Sequence, residues 1–369
     1  MRTTLFKSLY IVLLIGLITF SQNPLFNIFF EFFLLLMTFF SLGRIVINKQ
    51  IAGFLLVNII YVFSSFFYSV FFKGDHILDF LLVYKIFFYF FFISFLTGKY
   101  FLEKKDFSRF FKIILLIFFI KYLISLLVFN NTRPILFYEN NFEIMFLSLL
   151  FYLYYILNGK VHFVYQFLLS SIFLISGSRS GLLILFFVLA IVNYRLIIKR
   201  IFFIIPIFLS LLFITIFILE QRTGGAPFEI ESIDRFKFML VFIDETKEWS
   251  FLKFLIGSDR ISALSEGACI ELGYYESLFS FKNNGDCYSV ILHSYLLRVI
   301  YDHGVLGFIF IIGFIYKILR SSGYSYINII VVLGIVMING LSVSSFNSIY
   351  FILGLLFFII IKNSKPKIN

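Results

Sequence analysis

Charge is what this sequence has least of. Asp, Glu, Lys and Arg make up 14% of its 369 residues, against about 25% in an ordinary soluble domain. Hydrophobic residues make up 61%, and the mean hydropathy is +1.01. Such a chain cannot furnish the polar surface of a water-soluble domain, and it is far too apolar for disorder. Alanine is scarce as well, with five residues, while Phe, Ile, Tyr, Asn and Lys, the residues of A/T-rich codons, are frequent. The 58 phenylalanines therefore read as lipid-facing and packing bulk, not as an aromatic binding box. There are two cysteines and four histidines, with no CxxC and no histidine cluster, which argues against a zinc site. What remains is an all-α, polytopic membrane protein.

Apolar runs long enough to span a bilayer are read at 5–20, 25–43, 51–72, 77–97, 110–129, 142–157, 163–176, 181–194, 201–219, 304–319, 327–341 and 349–361. That is twelve, each expected to be helical because lipid cannot satisfy open strand hydrogen bonds. The first run follows Arg2 and Lys7 as a signal peptide would, but no small-residue cleavage site follows it, so it is read as an uncleaved helix. With the N-terminus inside, the inner segments hold eighteen Lys and Arg, and the short outer loops hold three, Lys73, Arg133 and Arg179. This bias places both termini in the cytoplasm. The chain is read as a single transmembrane domain, 1–369, with one large outer loop at 220–292. From 220 to 298 there are eight basic and twelve acidic residues, so this stretch carries −4 of the net +11 and the remainder carries +15. The basicity orients helices, and a nucleic-acid partner has little support.

Within the loop, 233–246 reads as an amphipathic helix with Phe236, Leu240 and Ile243 on one face, and 223–227 and 283–286 read as turns. Cys269 and Cys287 both lie in the loop. In an oxidising compartment they are expected to form a disulfide contributing about 3 kcal/mol; the alternative is two free, buried thiols.

Arg133 and Arg179 sit on the side that Arg ordinarily avoids, so each calls for a reason. Arg179 lies in Ser176-Gly-Ser-Arg-Ser-Gly181. Its guanidinium and the N–H groups of these small residues, Ser178 and Gly181 included, form an anion cradle at a helix start. The bland alternative is a tight hairpin with an incidental Arg. Arg133 stands in Asn130-Asn-Thr-Arg-Pro134, ahead of Glu139-Asn-Asn141. A fork suits a diphosphate, while the alternative is an interfacial Arg paired with Glu139 or Glu143. His293 opens His293-Ser-Tyr-Leu-Leu-Arg-Val-Ile-Tyr-Asp-His-Gly304. An imidazole there can take a proton from a hydroxyl near neutral pH, although a lone surface His is more often structural. Arg298 and Asp302 fall at i,i+4 and can pair. Glu31, Lys85 and Lys121 lie inside spans, as a buried ion pair or as a polar path. With no acidic metal cluster in view, guanidinium groups would stabilise a diphosphate leaving group without Mg²⁺.

Three segments resemble the bacterial O-antigen polymerase and O-antigen ligase superfamily of lipid-linked glycosyltransferases. Ser176-Gly-Ser-Arg-Ser-Gly181 resembles its Ser-x-Ser-Arg-x-Gly turn. His293-Ser294, nine residues and Gly304-x-x-Gly307 are similar to its His-(Asn/Ser/Gln)-x9-Gly-x-x-Gly signature. Arg133 with Glu139-Asn-Asn141 resembles its Arg followed by an Asn-rich helix start, and Arg235 leading through a helix to Gly257 is a fainter likeness. The resemblance covers residues 130–310 and implies glycosyl transfer between undecaprenyl-diphosphate-linked glycans at the outer face of the inner membrane, with no cofactor and no metal. It implies His293 as the base, Arg179, Arg133 and Arg235 as diphosphate ligands, and Ser178, Gly181, Glu139, Asn140 and Arg298 in support. The implied partners are membrane lipid, a chain-length regulator and other polysaccharide-assembly proteins. Polymerase is favoured over ligase; a flippase or other transporter is the alternative of another class.

Overall fold

The computed structural model describes residues 2–42, 47–199 and 234–361. The apolar run 201–219, the turn 223–227 and the basic residues Arg44, Arg200, Lys362, Lys365 and Lys367 lie outside the described residues. Among the described residues the extended elements are all helices, and strand-like contacts are confined to two isolated bridges, Leu102 with Ile361 and Ala263 with Tyr288.

The chain runs α1 (Arg2–Ile18), α2 (Leu25–Phe39), α3 (Lys49–Phe66, continued by a wide turn to Phe72), α4 (Ile77–Val83), α5 (Lys85–Ser94), α6 (Lys104–Leu127), α7 (Asn140–Asn158), α8 (Phe163–Ser176), α9 (Arg179–Val192) and α10 (Tyr194–Lys199). After the break come α11 (Asp234–Thr246), α12 (Phe251–Ile256), α13 (Glu266–Glu271), α14 (Tyr295–Ser321), α15 (Tyr326–Gly340) and α16 (Ile349–Ile360), with short 3₁₀ turns at Gly273–Leu278, Ser289–Leu292 and Ser345–Asn347. Among the described residues four helices are long and apolar enough to cross a bilayer: α3 with its continuation, α6, α7 and α14. The pair α4–α5, bent by 66°, makes a fifth if counted as one span. Six further apolar helices are shorter.

The centre of the bundle is α7, which packs against α16, α9, α15 and α6. Its buried face is nearly its whole circumference, and α16 is buried at every position. A helix apolar all round belongs inside, and these two are. Glu31, Lys85 and Lys121, inside apolar runs, each find a partner. Lys85 bonds Glu31 at 2.7 Å, and the Tyr89 hydroxyl donates to the same carboxylate oxygen at 2.9 Å. Lys121 donates to the carbonyls of Leu17 and Thr19 past the end of α1 and sits 3.3 Å over the Phe20 ring. A cation at a helix C-terminus meets the negative end of the dipole.

Residues 234–292 form a cap on one end of the bundle, with its own small core around Phe238, Val241, Phe242, Leu272 and the Cys269–Cys287 disulfide. The helix expected at 233–246 is α11, but the face expected to be buried is not the one that packs. Phe236, Leu240 and Ile243 are 36%, 45% and 49% exposed, while Phe238, Val241 and Phe242 face the cap core. The helix carries apolar residues on two sides, and tertiary packing chose between them.

Two joints hold the cap down. Lys73 donates to the carbonyls of Asp259 and Ile261, both at 2.7 Å, Asp75 bonds Lys282 at 3.1 Å, and Asp79 accepts from the Ser280 hydroxyl at 2.8 Å. Lys73, the third basic residue of the short loops, is thus a clamp. At the second joint the backbone of Gly257 lies against that of Gly304, and Ser258 N–H donates to the Tyr301 carbonyl at 2.7 Å. Gly304 has φ +66° and kinks α14 there. A Cβ at Gly304 would overlap the Leu255 carbonyl, so only glycine serves.

Candidate functional site

The site lies at the cap end, where three loops that join apolar helices carry small and polar residues. The first is the collar between α8 and α9. Gly177 ends α8 at φ +60°, the left-handed stop that glycine allows. Ser178 caps α9 by accepting from Gly181 N–H at 3.0 Å. Gly181 leaves no room for a side chain, since a Cβ would meet Ser178 and Ile144 at 3.0–3.3 Å. The tight hairpin is therefore real, and the Gly181 N–H of the expected anion cradle is spent on its own cap. Arg179 is the exception. Its side chain is exposed and makes no hydrogen bond or ion pair among the described residues.

The second loop carries Arg133, also exposed. It is rigid because Glu143, fully buried in the first turn of α7, accepts from the N–H groups of Leu136, Phe137 and Tyr138 at 2.7–2.8 Å. Glu143 therefore serves the loop and is not paired with Arg133. The Asn140 amide then donates to the carbonyls of both Pro134, at 2.9 Å, and Ser176, at 3.1 Å. Next to it, Asn141 accepts from the Ser178 hydroxyl at 2.7 Å. The two Arg-bearing loops are thus bound to each other through the start of α7. Glu139 stands beside them, half-buried; burial pushes its carboxyl up to about 7 against the lowering effects of Asn141 and Arg133.

The third loop is Ser342-Val-Ser-Ser-Phe-Asn-Ser348, between α15 and α16. Arg235, from the first turn of α11, donates to the Ser342 hydroxyl at 2.7 Å. Arg298, buried in α14, donates to the Ser344 hydroxyl at 2.6 Å, and Ser344 donates to the His293 carbonyl at 3.1 Å. Asp302 takes the Ser289 hydroxyl at 2.6 Å instead of Arg298, so the expected i,i+4 pair gives way to two separate partners. His293 sits in the left-handed region at φ 51°, and its half-buried ring packs against Tyr275 and Phe238 with centroids 4.4 and 5.6 Å away. Such backbone strain in a non-glycine residue persists only where the surroundings impose it, often at functional sites. His303, by contrast, is a packing residue, buried among Tyr61, Tyr84 and Phe87 with Nδ1 2.9 Å from the Tyr61 hydroxyl. His76 and His162 cap helices, accepting from Leu78 and Val164 N–H.

The structure thus gathers the predicted residues into two sets. One holds Arg133, Arg179, Glu139, Asn140, Ser178 and Gly181; the other holds His293, Arg235 and Arg298. Between them the Phe142 ring, at the start of α7, stacks 6.4 Å from the Tyr350 ring of α16. The sequence reading missed Ser342 and Ser344. Their signal was available, since 342–348 is a third short polar stretch between apolar helices, like 176–181. Among the described residues no three His, Cys, Asp or Glu side chains gather where they could hold a metal ion.

A bundle of apolar helices with a disulfide-stapled cap over polar loops defines a multi-helix membrane protein with a capped polar end. No protein-family model matches the chain, and neither does a curated protein or a solved structure.

Proposed function

We propose that the protein is a polysaccharide polymerase of the O-antigen type. It would transfer a growing undecaprenyl-diphosphate-linked glycan onto the next lipid-linked repeat unit at the outer face of the bacterial inner membrane. In this reading twelve helices cross the membrane, both termini are cytoplasmic, and the cap faces the periplasm. Arg133 and Arg179 hold the diphosphate of the donor, and His293 takes the proton of the acceptor hydroxyl as the new glycosidic bond forms and undecaprenyl diphosphate departs. Arg235 brings the cap down onto the Ser342 loop, and Arg298 fixes the His293 backbone through Ser344.

The observation that carries this reading is the Asn140 amide, which bridges the Pro134 carbonyl, next to Arg133, and the Ser176 carbonyl, three residues before Arg179. Two exposed guanidiniums that make no side-chain hydrogen bond or ion pair among the described residues stand on loops locked together, as a doubly charged leaving group requires. The reading is tested by Arg179→Ala and His293→Ala in the native host. Normal protein levels with loss of the long polysaccharide ladder are expected. An intact ladder at normal levels removes the assigned roles. Deleting the gene separates polymerase from ligase: one repeat unit left on the core marks a polymerase, bare core marks a ligase.

A transporter is favoured by one feature, the 66° break between α4 and α5 beside the Glu31–Lys85 pair, since broken helices with charge often hold transported substrates. That reading takes over if Lys85→Met abolishes function while Arg179→Ala and His293→Ala do not.

A further inference from the structure

Beside the 342–348 loop lies a partly open cavity of about 150 Å³. Asn27, Lys85, Arg298, Ser344, Ser348 and Tyr350 are among the residues that line it. We infer that this cavity is a binding site for a compact phosphate-class oxyanion.

Buried polar atoms are nearly always hydrogen-bonded, and an exception asks for a partner. Three atoms of residues lining this cavity make no hydrogen bond among the described residues: Arg298 Nε, Tyr350 Oη and Asn27 Oδ1. Arg298 is 4% exposed and Tyr350 1%. The Arg298 guanidinium spends one nitrogen on Ser344 and has no carboxylate within 4.0 Å, because Asp302 is turned to Ser289. Asp302 acts on the guanidinium only from beyond ion-pair distance; a buried cation with an unfilled donor is costly, and an anion in direct contact with it offsets part of that cost.

The surrounding backbone carries the same sign. Lys85 opens α5, and Ser348 caps α16, accepting from Tyr350 N–H at 3.2 Å. Both helix starts face the cavity, and each contributes partial positive charge. Lys85 is already matched by Glu31, so that pair is neutral, and the free Arg298 Nε–H is the charged donor left for a ligand. The Tyr350 hydroxyl is a donor suited to an oxyanion. Asn27 can turn its amide to donate, since oxygen and nitrogen of the group are interchangeable by rotation. At about 30 Å³ per water the space is that of about five waters, room for a phosphate or diphosphate group.

This inference rests on the cavity alone, so it stands or falls apart from glycosyl transfer. The anion can come as free phosphate or as the head of a prenyl diphosphate. The test uses the full-length protein in detergent, followed by thermal unfolding against inorganic pyrophosphate and, separately, farnesyl diphosphate, with chloride at matched ionic strength as control. Saturable stabilisation of the wild type by at least one of the two is expected. Pyrophosphate as well as farnesyl diphosphate acting marks a site open to the free anion; farnesyl diphosphate alone marks a site reached through the lipid headgroup. In either case Arg298→Gln is expected to raise the half-saturating concentration about tenfold or more. Tyr350→Phe, which removes one hydroxyl and leaves the packing intact, is expected to raise it several-fold. No saturable stabilisation beyond chloride in the wild type, or unchanged half-saturation in the folded Tyr350→Phe and Arg298→Gln proteins, overturns the inference. A polysaccharide ladder lost in His293→Ala while pyrophosphate still binds separates this site from the transfer reaction.

Discussion

The Arg298 guanidinium and the His293 carbonyl share one hydroxyl. Ser344 accepts from the first at 2.6 Å and donates to the second at 3.1 Å. Through that single side chain a buried cation in α14 sets the backbone of the histidine five residues before it. Removing it with Ser344→Ala takes a hydrogen bond from each group, a loss of about 1–3 kcal/mol where a buried polar group goes unsatisfied. A lowered unfolding temperature and a shortened polysaccharide ladder are expected together, measured on purified protein and on the host strain. An unchanged unfolding temperature would show that the shared hydroxyl contributes nothing.

Asn140 and Arg179 separate structure from chemistry. The Asn140 amide is buried and bonded to two loops, so Asn140→Ala is expected to cost about 1–3 kcal/mol. Arg179 is exposed and unpaired among the described residues. Its replacement by Ala should leave stability within about 0.5 kcal/mol while the glycan product is lost. Equal stability losses in the two variants would argue against an exposed, ligand-binding Arg179.

The kink at Gly304 is predicted to be irreplaceable. Gly304→Ala puts a Cβ onto the Leu255 carbonyl at φ +66°, and a loss of about 3 kcal/mol or more is expected. Yield of monodisperse protein by size-exclusion chromatography reads this out. Gly53→Ala, where a side chain meets nothing within 4 Å, is the control.

The Cys269–Cys287 disulfide closes a separation of 18 residues, for which chain entropy predicts about 3 kcal/mol. Since the bond lies in the cap core, reduction should loosen the cap and leave the bundle folded. Limited proteolysis with and without reductant should show new cleavage confined to 234–292.

Glu139 predicts a pH dependence. Its folded-state value is about 7 against an ordinary 4.5. Between these values the native protein holds a proton that the unfolded chain has lost, so stability is greatest below 4.5 and falls as pH rises through about 7. Unfolding temperatures between about pH 5 and about pH 8 should decline, and Glu139→Gln should flatten that decline. A slope identical to wild type would locate the effect elsewhere.

Much of this protein was set by composition and period. An apolar chain with few charges must satisfy its backbone internally, so helices follow wherever the apolar runs lie. The small-residue collar at 176–181 announced a tight turn, and Arg133 and Arg179 stood out because no structural rule needed them there. Three features were decided only by the tertiary structure. Which face of α11 packs depended on where the disulfide-centred core lay, since both faces are apolar. Glu143, legible in sequence only as a candidate partner for Arg133, is instead the anchor of the Arg133 loop, because three backbone N–H groups point at it. The cavity with Arg298 and Tyr350 joins residues from distant parts of the chain, and no local pattern encodes that meeting. Local sequence determines what each segment can bury; the packing of all segments together determines which polar groups are left facing one another.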